Sequence, residues 1–125
     1  MPKNLTIEDI VFYLSQNPLK VARMYLRRED YKTSGFWASR AFEIFLKKEF
    51  ESKVKMPKRN REKGELEDMI GQLCETPEYC GWKNELHKSR KLRNKAIHPD
   101  KPFKEDDAKE FFKGVENFQN KINKV

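Results

Sequence analysis

Apolar residues recur along most of the chain at spacings of three and four, and each such run marks one face of a helix. Thr6 with Asp9 three positions on reads as a capping box that opens a short helix over residues 7–15. Asn17 then supplies an N-cap and Pro18 the first helical position, and Leu19, Ala22, Met24, Tyr25 and Leu26 carry a second helix to residue 28. Thr33, Ser34 and Gly35 read as a break, with Ser34 capping the next helix. That third helix, residues 36–53, is the most apolar: Trp37, Ala38, Ala41, Phe42, Ile44, Phe45 and Leu46 cover a broad arc and leave Arg40, Glu43 and Lys47 outside it. A basic stretch bounded by Pro57 and Gly64 reads as a loop, after which Leu66, Met69, Ile70, Leu73 and Cys74 mark a one-faced helix. Beyond a connector over 75–81, Trp82, Leu86, Ser89, Leu92 and Ala96 mark a fifth helix. It must stop near His98, because Pro99 disfavours helical torsions in the residue before it. Ala108, Phe111, Phe112, Val115, Phe118 and Ile122 mark the last helix, residues 106–122, with acids in its first turn where the helix dipole favours them. No segment alternates with the period of a strand. The pattern predicts an all-α, up-and-down bundle of five or six helices with short connections.

Composition narrows this further. A chain of 125 residues is the size of one domain, and nine Phe, four Tyr and two Trp supply the large buried areas that argue against disorder. No apolar run is long enough for a membrane span and no apolar leader precedes a cleavage site, so a soluble, cytoplasmic protein is expected. Two cysteines are too few for a secreted disulfide scaffold. Cys74, Cys80, His87 and His98 match no zinc-ligand spacing, so no metal and no cofactor is expected; Cys74 reads as a core residue and His87 as a rim residue.

Charge adds one more prospect. The net charge is +7, and cations gather in two blocks, residues 53–63 and 83–98. Such blocks form either a solvated, lysine-rich surface or a face for a polyanion such as nucleic acid.

Within the second block, Arg93, Asn94 and His98 stand apart. Asn94 and His98 share a helical face if the helix reaches His98, and Arg93 borders that face. A guanidinium grips phosphate oxygens in a fork, an imidazole moves protons near neutral pH, and an amide orients a ring or a hydroxyl. Glu43 has two readings: a local pair with Arg40 at i, i+3, or a reach across to Arg93. Lys88, Arg90, Lys91 and Lys95 flank the motif and either track an RNA backbone or form a solvated face.

The run from Arg93 to His98 resembles the R-x4-H motif of HEPN domains, with Asn94 as the polar residue that often follows the arginine. The likeness is to the small DUF4145-like HEPN domains in particular. It covers residues 35–122 of a single domain over 1–125, leaving 1–34 as an N-terminal helical extension. The resemblance implies a metal-independent endoribonuclease of a toxin–antitoxin or defence system, acting on RNA as a homodimer that pairs two motifs. In that role His98 serves as general acid or base, Arg93 stabilises charge on the phosphate, Asn94 orients substrate or His98, and the products carry a 2′,3′-cyclic phosphate and a 5′-hydroxyl. Relatives controlled by a nucleotidyltransferase-type antitoxin often carry a tyrosine two positions past the histidine; here that position is Asp100, which does not support such a partner. Other HEPN-like domains are non-catalytic modules that bind nucleic acid or a partner protein, or that dimerise, and that alternative stays open.

Overall fold

Five α-helices, α1 (Pro18–Arg27), α2 (Tyr31–Lys53), α3 (Glu65–Leu73), α4 (Lys83–Ile97) and α5 (Glu105–Asn123), account for most of the protein in this computed structural model, which describes residues 6–7 and 17–124. One 3-10 turn, Pro77–Tyr79, lies between α3 and α4, and no strand occurs among the described residues. The helix expected over 7–15 and its capping box lie outside the described residues, apart from Thr6 and Ile7.

Local signals explain most of the boundaries. Asn17 caps α1 by accepting the Lys20 amide at 3.4 Å, with Pro18 at the first position. Asp107 returns a bond to the Lys104 amide at 3.0 Å at the start of α5, whose first turn holds Glu105, Asp106 and Asp107. The stop at Pro99 is where torsional restriction places it: α4 ends at Ile97, and His98 is already extended with ψ 123°.

The expected break at Thr33-Ser34-Gly35 is absent. The chain turns earlier, at Glu29, whose φ of 62° is in the left-handed region, and Asp30 caps α2 by accepting the Thr33 amide at 3.3 Å. Ser34 and Gly35 lie inside the helix and serve close packing. Buried Ser34 donates its hydroxyl to the Ala22 carbonyl at 2.8 Å, tying α2 to α1. Gly35 makes room for two neighbours: a Cβ there would sit 2.6 Å from Phe103 and 3.0 Å from Ala96. The boundary drawn at residue 35 thus falls within the first turns of α2. Tyr31 and Lys32, on the other side of that line, reach the far end of the chain, Tyr31 donating its hydroxyl to Glu105 at 2.9 Å.

Helix α2 is the axis of the bundle and packs against each of the other four. Phe42 and Leu46 of α2, Ile70 and Leu73 of α3, Leu86 of α4, and Phe111, Val115 and Phe118 of α5 are fully buried around it. The rings of Phe111 and Phe118 stand 6.4 and 6.1 Å from Phe42, within the range where tilted and edge-on aromatic pairs attract. Tyr79 carries the 3-10 turn into this core, edge-on to Phe118 at 6.0 Å, and its hydroxyl donates to Glu49; burial and that carboxylate push the phenol far above its ordinary range. Trp37 and Phe45 complete the core from partly buried positions. Glu43 and Gly35 of α2 meet Arg93 and Ala96 of α4, so these two helices run antiparallel. Against α5, α4 again runs antiparallel, with Lys88 meeting Glu110 and Lys95 meeting Asp107. No helix among the described residues is long and apolar enough to cross a membrane.

Candidate active site

Phe36, Arg40, Glu43 and Lys47 share one stripe of α2 and Arg90, Arg93, Asn94 and Ile97 one stripe of α4, and Glu43 and Lys47 line the same space as Arg90, Arg93 and Asn94. Glu43 crosses to α4. The Arg93 Nε donates to Glu43 Oε1 at 2.9 Å and Nη2 donates to the same oxygen, while Nη1 donates to Asn94 Oδ1 at 3.0 Å. Of the two readings for Glu43, the reach to Arg93 is the observed one; Arg40 is exposed and makes no ion pair among the described residues. A guanidinium has five N–H donors, and three are committed here, which leaves two for a ligand.

Arg93 opens into a cleft of about 270 Å³ between α2, the start of α3 and α4. Glu43, Lys47, Glu67, Arg90 and Asn94 share its walls with Gly64 and Glu65. Its charge is nearly balanced from within. Arg93 pairs with Glu43, Arg90 stands 3.8 Å from Glu67, and Lys47 faces the same space as Glu65. Half-buried His87 accepts from Arg90 Nε at 3.2 Å; burial, and then the Arg90 charge, hold its imidazole below the usual range.

His98 is elsewhere. Because α4 stops at Ile97, the fourfold spacing from Asn94 no longer stacks the two side chains, and His98 is not among the residues lining the cleft. Its ring is exposed, and Nδ1 accepts the Asp100 amide at 3.1 Å. A neutral ring bonded this way carries its proton on Nε2. Proton transfer at Nε2, in either direction, needs a proton on Nδ1, so catalysis by this ring requires release of the Asp100 amide. Lys32 fixes the backbone beneath it, with Nζ 2.9 Å from the His98 carbonyl and 3.4 Å from those of Lys95 and Lys101. Cations suit a helix C-terminus for the same reason that free carbonyls gather there.

The four flanking basic residues are placed unequally. Lys88 pairs with Glu110, Arg90 with Glu67, and Lys95 with Asp107 at 3.0 Å; Lys91 alone of the four is exposed without an ion pair among the described residues. Lys47 and the α3 walls of the cleft were not singled out by sequence. For Lys47 the signal existed, since it lies four residues from Glu43 on the same stripe. For Lys32 there was none.

Cys74 is half-buried, its thiol pushed up chiefly by that burial, and Cys80 is exposed; both are free. Among the described residues, no group of three or more His, Cys, Asp or Glu side chains is placed to hold a metal ion. Comparison with known protein families, with curated proteins and with solved structures finds no match to this chain in any of the three.

Proposed function

We propose that the chain is a metal-independent endoribonuclease of HEPN type, toxin or defence-related, acting as a homodimer. The observation that carries this reading is the chain of bonds from Glu43 through Arg93 to Asn94: a guanidinium fixed on two sides, with two donors left over, at the mouth of a cleft. In the reaction the 2′-hydroxyl oxygen attacks the adjacent phosphorus, the bond to the 5′-oxygen breaks, and a 2′,3′-cyclic phosphate and a 5′-hydroxyl result. Arg93 offers its two remaining N–H groups to the non-bridging oxygens, where charge builds up. With the Asp100 amide released from Nδ1, one neutral His98 takes the hydroxyl proton and another, protonated, supplies the proton for the leaving oxygen. Two such rings come from two copies, and a second copy also brings an imidazole to a cleft that its own His98 does not line. Phe36 and Ile97, 56% and 45% exposed on the stripes that carry Glu43 and Arg93, are the apolar surface such a pairing would cover.

The test is cleavage of synthetic RNA by purified protein in EDTA, with the product ends identified. His98→Ala and Arg93→Ala are each expected to slow cleavage by about 100-fold or more with helix content unchanged. Intact protein that cuts no RNA, or variants that cut as well as it does, would sink the reading. The position of His98 outside the cleft favours a second reading, a non-catalytic HEPN-like module that binds nucleic acid or a partner protein or dimerises. RNA bound but never cut, with binding indifferent to His98→Ala, is its signature.

A further inference from the structure

The cleft matches its cations with its own carboxylates, so attraction of a polyanion has to come from outside it. A run of unmatched cations lies next door, in the loop between α2 and α3. Five cations, Lys55, Lys58, Arg59, Arg61 and Lys63, stand there against Glu62. Only Arg59 is spent on an acid, Asp68, at 3.2 Å; Lys55 Nζ donates to the Ser52 carbonyl at 3.1 Å, and Lys58, Arg61 and Lys63 form no ion pair among the described residues.

This loop has no regular secondary structure, yet α3 holds its backbone firmly. Gln72 clasps Lys58 in both directions, accepting its amide and donating to its carbonyl, each at 2.8 Å. Asp68, 7% exposed, accepts the Asn60 amide at 3.2 Å and also the Arg59 guanidinium. Burial alone would raise the Asp68 carboxyl, but its bonds to Asn60, Gln72 and Arg59 outweigh that and hold it below the usual range. Arg59 in turn donates to the carbonyls of Asn60 and Lys63, closing the turn. The chain then runs directly into Gly64 and Glu65, which are walls of the Arg93 cleft.

We infer that this braced loop is the docking surface for the phosphate backbone of single-stranded RNA, with Lys58, Arg61 and Lys63 as its contacts, delivering the strand to the adjoining cleft. The inference deepens the ribonuclease reading by naming where its substrate binds. It also moves the main contact away from α4, where three of the four flanking cations are neutralised by Glu110, Glu67 and Asp107. RNA rather than an acidic protein is the favoured occupant because the loop adjoins a guanidinium with free donors suited to a phosphate.

The test measures binding, separately from cleavage. Full-length protein carrying His98→Ala is titrated with a fluorescent single-stranded oligonucleotide over a series of salt concentrations. Adding Lys58→Gln, Arg61→Gln and Lys63→Gln leaves the brace intact, because its bonds to these positions run through main-chain atoms. Each phosphate contact on a single strand contributes about 0.7 to the slope of log affinity against log salt, so the triple change is expected to flatten that slope by about 2. Affinity at low salt should fall by about 10- to 100-fold. A control with the same loss of net charge, Lys20→Gln, Lys109→Gln and Lys113→Gln, should keep the slope, and all proteins should melt together. Equal slopes for the loop and control variants would overturn the inference, as would loop-dependent binding of a polyglutamate peptide with none of the RNA. If the loop variant loses RNA binding while intact protein never cleaves, the docking surface stands and the ribonuclease reading falls.

Discussion

At the scale of single residues, the candidate site turns on whether Glu43 merely neutralises Arg93 or aims it. The two bonds from Arg93 to Glu43 end on one carboxylate oxygen, and both side chains keep partial exposure, 24% for Arg93 and 39% for Glu43. A pair this open contributes about 1 kcal/mol or less to folding. Displacing a catalytic group by a fraction of its length can cost about 100-fold in rate. Glu43→Gln is therefore expected to leave the melting temperature nearly unchanged and to lower kcat with KM little altered, while Glu43→Asp recovers part of the loss. An equal loss of stability and activity would make Glu43 structural only. That Arg93 and Asn94 share one cleft was legible because they lie within one short run of sequence; that His98 of the same run falls outside it was not. Glu43 was legible only as one of two alternatives, since its partner is fifty positions away. The His98 ring bond to the Asp100 amide was not legible, because it depends on torsions after the helix end that only the folded chain defines.

For the helices, the sequence pattern located all five described α-helices but not the 3-10 turn Pro77–Tyr79, and the one boundary misplaced by more than a residue or two, the start of α2, has a clear origin. Ser and Gly occur both where helices end and where they pack closely, and only the tertiary neighbour distinguishes the two cases. At Gly35 the neighbours are Phe103 and Ala96, held too near for any side chain. Gly35→Ala is expected to destabilise by about 1–3 kcal/mol, overriding the gain in helix propensity. Gly71, in α3, where a Cβ would meet nothing within 4 Å, is the contrasting case: Gly71→Ala should stabilise by about 0.4–1 kcal/mol. Thermal or urea unfolding of the two variants reads the sign of each directly; two changes of the same sign would mean the packing argument at Gly35 is wrong.

Taken as a whole molecule, the bundle followed from periodicity, whereas its electrostatics did not. A net charge of +7 gives no hint of which cations are already matched, because Lys88, Arg90 and Lys95 find their acids on other helices. Assembly belongs to this scale too. On the proposed homodimeric ribonuclease reading, Phe36→Asp with Ile97→Asp is expected to give a monomer in sedimentation and to abolish RNA cleavage while far-ultraviolet dichroism stays the same; a monomeric variant that cleaves at full rate would refute the shared site. The clasp of Lys32 on three carbonyls near the end of α4 carries a further consequence. One ammonium group from the opening turn of α2 spans 66 positions to seat the histidine's own peptide unit. The opening turn of α2 ahead of position 35 is thus no detachable appendage: trimming the chain at that point would remove the peg on which the imidazole hangs.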